Sequence, residues 1–299
     1  MAQQLQDIKG VGPSTEEQLE DAGIDNLNDL AQCPAEKLVD ETSFSEGKAN
    51  RLIKLAKQDA VLIQTGDEVA KEHEKKERIS TGIPALDDVL GGGWEEGFIT
   101  LVQGDPGSGK TQIAFQSCVQ AVEETKDQAI YIETEEGRYR PDRLKNLSNE
   151  DDTQEKINKA APRSLDQQML TFQKLQKDFS DISIVVVDSF NALFRREYDG
   201  RGEFAERSRQ MTDQMAEIEK TAKVLECPIL LTGQVYGNPT PRGKSGRVYG
   251  GSVMKHSAGS IVEMSQSSGE LVEAELMKHP GLGRDSAEIR ITDTDLQGA

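Results

Sequence analysis

The sequence predicts an α/β fold, a mainly parallel sheet flanked by helices, preceded by a small all-α domain. Three observations predict it. From Ile79 onward, apolar runs rich in β-branched residues alternate with stretches long enough for helices, as in a parallel sheet covered on both faces. Residues 1–60 read instead as short helices separated by tight turns. Between the two, residues 71–78 are all charged or titratable, which marks a solvated linker or an exposed helix. A chain of 299 residues accommodates both parts, since domains run to about 100–200 residues.

In the N-terminal part, Ser14-Thr15-Glu16-Glu17 forms a capping-box pattern that starts a helix, and Leu52, Ile53, Leu55 and Ala56 mark the apolar face of a later one. Ahead of the capped helix, Ile8-Lys9-Gly10-Val11-Gly12-Pro13 is a turn whose two glycines remove side chains where a phosphate could approach backbone amides. This turn and the helix after it resemble the helix-hairpin-helix motif of nonspecific DNA binders. The resemblance implies DNA contact at Gly10 and Gly12 and makes residues 1–60 a helix-hairpin-helix DNA-binding domain. Residues 61–78 are then the linker and 79–299 the core. Core strands are expected at 98–102, 129–132, 182–187 and 229–232. Three more at short spacing, 260–264, 271–277 and 287–291, read as antiparallel additions.

Hydrophobic residues make up 35% of the chain, and no apolar run reaches the ~18 residues needed to cross a bilayer, so a soluble protein with no membrane partner is expected. The start, Met1-Ala2-Gln3-Gln4, lacks the basic and apolar stretches of a signal peptide, and a cytoplasmic location is expected. Cys33, Cys118 and Cys227 are too scattered for a disulfide framework or a zinc site and read as buried, reduced thiols. The formal net charge of -18 argues against a nucleic-acid partner, because binding DNA relies on neutralising its phosphates. Halophilic adaptation to a salty cytoplasm is the alternative: the Debye length shrinks to ~3 Å at 1 M and like charges stop repelling far. Charge alone therefore does not exclude DNA.

Gly104-Asp105-Pro106-Gly107-Ser108-Gly109-Lys110-Thr111 matches G-x-x-x-x-G-K-[ST], and it follows the strand Ile99-Thr100-Leu101-Val102 and precedes a helical run, which makes the match specific. The glycines let backbone amides ring the phosphates of ATP, Lys110 reaches the β and γ oxygens, and the Thr111 hydroxyl can hold Mg2+. The strand Ile184-Val185-Val186-Val187 ends in Asp188, the candidate second metal partner, although an Asp there is also an ordinary strand boundary. Hydrolysis further needs a carboxylate to orient or deprotonate water. Glu133, Glu135 and Glu136 follow the strand at 129–132, at the carboxyl edge where open α/β sheets bind ligands. At least two of the three read as a solvated acidic loop.

Taken in order, these residues resemble the RecA-type recombinase family, and within it the archaeal RadA-type recombinases, over nearly the whole chain. The resemblance rests on the ordered set Arg78-Ile79-Ser80-Thr81-Gly82, Leu86-Asp87, Gly91-Gly92-Gly93, the P-loop with Gln112, Tyr131-Ile132 with Thr134-Glu135, Arg140-Pro141-Asp142-Arg143, Asp188-Ser189, Tyr198 with Gly200-Arg201-Gly202-Glu203, Gln234-Val235 and Gly250-Gly251. It implies a RecA-like P-loop ATPase core that uses ATP and Mg2+, binds single-stranded and double-stranded DNA, and forms a homo-oligomer or helical filament with ATP at subunit interfaces. It also implies roles: Glu135 as catalytic glutamate, or Glu136 when counted back from Gly137; Arg143 packing on adenine; Gln234 sensing the γ-phosphate. Two DNA loops are implied, one at 195–209 with Arg201 and Arg207, the other at 238–249 with Arg242, Lys244 and Arg247.

Three departures bear on function. Filament-forming members use a Phe-x-x-Ala tether, and here the nearest match is Ile63-Gln64-Thr65-Gly66, with a smaller apolar anchor. Lys278-His279-Pro280 stands where the family usually has Asp before Pro, which would bring Lys278 onto a neighbour's phosphates, and Gly233 replaces the usual Asn. These make the core partly RadB-like. The resemblance thus implies a DNA-dependent ATPase that exchanges strands in recombination and repair, or a mediator that binds ATP and a recombinase without its own filament. A clock or signalling ATPase of the same fold would call for a second core repeat, which this chain lacks.

Overall fold

The computed structural model describes residues 5–24, 26–59, 65–198, 204–236, 247–248 and 251–299. It divides into two compact units, Met1–Lys75 and Lys76–Ala299.

The first unit is helical: α1 (Pro13–Asp21), α2 (Leu27–Gln32), α3 (Ala35–Glu41), α4 (Glu46–Asp59) and α5 (Gly66–His73). Its core is closed by Leu19, Leu30, Leu38, Leu52, Ile53 and Ala56, all buried, while Leu55 is half-buried at its edge. The expected capping box does not form. Pro13 takes the first helical position and Gly12 the cap, with no side-chain cap bond, so Ser14 lies inside the helix. Proline's fixed φ starts the helix before the serine can cap it. Gly10 has φ +107°, a conformation that excludes other side chains, and the turn is closed by the Val11 amide donating to Ile8 O at 3.0 Å. The charged stretch at 71–78 is partly helical, since α5 reaches His73.

The second unit opens with an antiparallel ribbon, β1 (Arg78–Ile79) with β2 (Trp94–Glu95), around α6 (Pro84–Leu90). Then follow β3 (Ile99–Gly104), α7 (Lys110–Thr125), β4 (Gln128–Glu133), α8 (Pro141–Leu147), β5 (Ile157–Ala160), α9 (Leu165–Asp178), β6 (Ile182–Asp188), α10 (Asn191–Glu197), α11 (Phe204–Val224), β7 (Ile229–Tyr236), β8 (Arg247–Val248), α12 (Gly251–Ser257), β9 (Ser260–Ser268), β10 (Leu271–Lys278), β11 (Ser286–Ile291) and β12 (Leu296–Gly298). The sheet runs β12-β11-β10-β9-β3-β7-β6-β4-β5, with β8 paired to β7. From β9 to β5 every neighbour is parallel, whereas β10, β11 and β12 add antiparallel at one edge. The expectation of three antiparallel additions is thus corrected for the strand at 260–264, which joins β3 in parallel because α12 carries the chain back across the sheet.

Helices cover both faces of the parallel part, so β3 and β6 are buried along their whole length. Each of Val185, Val186 and Val187 is fully buried, a gain of about 1.5–3 kcal/mol apiece over exposure. By contrast β10 alternates between buried and half-exposed residues, as a strand with one covered face does. Cys118 and Cys227 are buried and Cys33 half-buried, all three free; burial pushes the Cys227 thiol up to about 12.

Trp94, the only tryptophan, is buried and donates from its indole nitrogen to Ser117 Oγ at 2.9 Å. Ser117→Ala strands that donor in an apolar core and is expected to cost about 1–3 kcal/mol. Urea unfolding followed on Trp94 fluorescence measures it, and an unchanged midpoint would contradict the account.

Candidate active site

Glycine geometry shapes the loop between β3 and α7. A side chain at Gly104 would sit 2.2 Å from Met264 O on β9, and Gly107 and Gly109 hold φ +84° and +89°. Asp105 and Pro106 are exposed, and Ser108 is buried beneath them. Gly109 caps α7 without a side-chain bond, which leaves the first amides of the helix directed into the loop, a natural seat for phosphate oxygens. Lys110 folds back inside it: its ammonium donates to Gly104 O at 2.9 Å, Asp105 O at 2.7 Å and Ser108 Oγ at 3.2 Å. Burial pulls its pKa down to about 8, against the opposing fields of Asp188 and Asp105.

Asp188, at the end of β6, is the hub of the site. Its Oδ2 accepts from Thr111 Oγ1 at 2.8 Å and from the Tyr131 hydroxyl at 2.7 Å, and its Oδ1 from the Thr232 hydroxyl. The carboxylate is 5% exposed. Burial and the facing carboxylate push the Tyr131 phenol far above its usual range, so it remains a donor. Tyr131 and Thr232 went unassigned in the sequence, although a phenol within an aliphatic strand and a threonine closing another were the available signals.

Glu133, which ends β4, and Glu135 and Glu136, which follow it, separate sharply. Glu133 is buried and bonded to Lys159 Nζ at 2.6 Å and to the Tyr139 amide at 2.8 Å. Burial raises its pKa, but the bonds from Lys159 and the backbone outweigh it and leave the carboxyl below the ordinary range. Glu136 is exposed. Glu135 is half-buried and meets Arg195 Nη2 at 2.9 Å, with Arg138 Nε at 3.4 Å. The other arm of Arg195 donates to Gln234 Oε1 at 3.1 Å. Register explains why these groups converge: Gly104 lies opposite Gln234 and Glu133 opposite Asp188, all at the carboxyl edge of parallel strands.

Arg143, on α8, donates from Nε to Gln112 Oε1 at 2.6 Å and from Nη1 to Asp293 O, while its Nη2 is buried without a protein partner. Gln112 and Arg143 thus line a cleft beside the P-loop, with Asn146, Ile291 and Thr292. Lys278, expected to meet a neighbour's phosphates, donates within this chain from its ammonium to Lys255 O at 2.9 Å and Ala258 O at 2.7 Å, capping the C-terminal end of α12. The first implied DNA loop is narrower than 195–209, because Arg195 belongs to α10 and Arg207 to α11, where Arg207 lies over the Phe204 ring at 5.0 Å. Arg201, Arg242 and Lys244 fall outside the described residues, as do Ile63 and Gln64 of the tether. Arg247 sits in β8, opposite Tyr236.

A P-loop flanked by a hydroxyl-ringed aspartate, at the carboxyl edge of this strand order, defines a RecA-like P-loop core. Its sequence places it more narrowly. A Rad51 family model matches residues 73–299, and a SAM-like helix-hairpin-helix tandem model matches residues 2–58. The chain belongs to the Rad51 family. It is 34% identical to the "DNA repair and recombination protein RadA" of Methanococcus maripaludis strain C5 and 33% identical to that of Methanococcus voltae, each alignment covering 99% of this chain and 100% of the relative. Among the described residues no helix is long and apolar enough to cross a membrane.

The depressed pKa of Lys110 sets a pH dependence. Phosphate anions favour the charged ammonium, so nucleotide binding takes up a proton wherever the free lysine has lost one. ATP affinity is therefore expected to be full below pH about 8 and to fall as pH rises through it, approaching tenfold per unit. Calorimetry in two buffers of different ionisation enthalpy measures the proton uptake, and affinity constant from pH 7 to 10 would refute the assignment.

Proposed function

We propose that the chain is a DNA-dependent ATPase that binds single-stranded DNA, assembles with ATP and promotes homologous pairing and strand exchange in DNA repair and recombination. The observation that carries this reading is the convergence of Thr111, Asp188, Glu135 and Gln234 at one sheet edge, on strands and helices whose continuations are the implied DNA segments. In this reading residues 104–111 cradle the phosphates, Lys110 exchanges loop carbonyls for β and γ oxygens, and Arg143 with Gln112 borders the base. Glu135 accepts the proton of the attacking water, Glu136 remaining the neighbour to compare with it, and Gln234 senses the γ-phosphate.

The donor set at Thr111 and Asp188 suits Mg2+. Hard oxygen ligands, one carboxylate beside one hydroxyl, match a cation that binds through few protein groups and completes its shell with phosphates and water. No group of three or more His, Cys, Asp or Glu able to hold a metal occurs among the described residues, which fits a cation shared with a nucleotide. When bound, Mg2+ would neutralise charge on the β and γ oxygens.

DNA contact is assigned to Gly10 and Gly12 through backbone amides and to Arg201, Arg207, Arg242, Lys244 and Arg247 through phosphates. The net charge of -18 makes such contacts depend on a salty cytoplasm that screens the rest of the surface. The mediator reading is supported by Ile63-Gln64-Thr65-Gly66, a tether with a smaller apolar anchor than the family's Phe-x-x-Ala. Electron microscopy with ATP and single-stranded DNA at high salt separates the two, since only the recombinase reading expects filaments.

Lys110→Ala is expected to abolish hydrolysis and Glu135→Gln to lower kcat at least about 100-fold while ATP still binds. Glu136→Gln is expected to retain most activity. A phosphate-release assay with single-stranded DNA in molar KCl checks all three, and equal losses for the two glutamines would overturn the choice of Glu135.

A further inference from the structure

Arg195 forms a bridge that the assigned roles do not use. Its guanidinium donates from one arm to Glu135 Oε1 at 2.9 Å and from the other to Gln234 Oε1 at 3.1 Å. One side chain thus occupies both the group assigned to the attacking water and the group assigned to the γ-phosphate. It also stands in the last turn of α10, before Arg201 in the chain. A cavity of about 490 Å³ opens beside the bridge, lined by Glu135 and Glu136 on one hand and by Arg163, Arg195 and Arg196 on the other.

From this we infer that Arg195 is a positioning residue that holds hydrolysis in check until a backbone phosphate of nucleic acid enters this cavity and takes the guanidinium. The inference rests on the reading of Glu135 and Gln234 given above. A carboxylate engaged by a guanidinium has committed lone pairs and a compensated charge, and is a poor acceptor for the proton of an attacking water. The planar fork of arginine binds phosphate as readily as carboxylate, so a nucleic-acid phosphate competes for the same donors. The competition is balanced because the bridge is weak. The Arg195 side chain is 35% exposed and that of Glu135 22%, and ion pairs so open to water favour the closed arrangement by a factor of no more than about five. A second guanidinium, Arg196, lines the same cavity and adds to the attraction for a phosphate. On release Glu135 keeps only the more exposed Arg138, at 3.4 Å, and Gln234 Oε1 loses the Arg195 bond, so one event changes both groups.

The test is steady-state ATP hydrolysis by the full chain at saturating ATP, with and without single-stranded DNA, for the wild type, Arg195→Ala and Arg195→Gln. Both variants are expected to raise DNA-free kcat by up to about fivefold, the closed fraction being lost, with KM for ATP little changed. The stimulation by DNA should shrink by the same factor. Unfolding curves on Trp94 fluorescence establish that each variant is folded. A DNA-free kcat that stays the same or falls in both folded variants overturns the inference. So does a loss confined to DNA affinity, which would make Arg195 a DNA contact alone. A wild type that hydrolyses ATP at one rate with or without DNA overturns the DNA-dependent reading itself, an outcome distinct from either of these.

Discussion

The carboxylate of Asp188 is the constraint on which the site depends. It is a buried anion, and an isolated one would cost far more than the fold could supply. Hydroxyls from three different elements meet it: Thr111 on α7, Tyr131 on β4 and Thr232 on β7. Those bonds fix the first turn of α7 against the sheet, and so fix the mouth of the P-loop relative to the strands that carry Glu135 and Gln234. All three donors are neutral. They solvate the charge without cancelling it, which leaves a net negative charge to attract a cation at its Thr111 side. Structure and chemistry thus make the same demand of one residue: remove the charge, and the hydroxyls lose their common acceptor together with the proposed metal ligand.

How much of this was legible in the sequence follows from the range of the interactions. The P-loop was legible because its glycines answer local requirements, a positive φ at Gly107 and Gly109 and the absence of any side chain at Gly104. Strands β3, β4, β6 and β7 were legible because burial on both faces writes a continuous apolar run into each. Asp188 could be placed at a strand end but not given its three donors, since Tyr131 and Thr232 reach it only through a strand order that no local pattern encodes. The parallel edge of β9 was lost for the same reason: spacing suggested the hairpin with β10, which forms, but not that α12 brings β9 alongside β3. The missing capping box has a local cause, proline at the first helical position overriding the serine beside it.

Of the acids at the end of β4 and just after it, the resemblance singled out Glu135 and left Glu136 open, and the surroundings of all three differ. Glu133 is committed to Lys159 and to backbone amides, a structural clamp at the end of the strand. Glu136 faces solvent. Glu135 alone is connected by one intermediary, Arg195, to the strand that leads from the P-loop edge toward β8. Spacing with one extra residue obscured this, because an insertion after a strand shifts counting from one side only, and the side chain nearest the strand end keeps its geometry.

Lys278 bears on whether the interface repeats, and magnitudes decide how much weight it carries. Within this chain its ammonium sits on carbonyls at the C-terminal end of α12, an exposed cation at a helix end, worth about 0.3–1 kcal/mol. The carbonyls offer the ammonium only dipoles, whereas a phosphate offers a full opposite charge. The exchange of one for the other therefore runs downhill whenever a neighbour's nucleotide comes within reach, and the intrachain bond is no obstacle to assembly. In the proposed assembly a neighbour would be brought within reach by burial of apolar surface at the tether, where isoleucine at position 63 would offer less area than phenylalanine and each Å² is worth about 25 cal/mol. The choice between a filament and a discrete assembly thus turns on residues 63–66 rather than on the lysine that would complete the site.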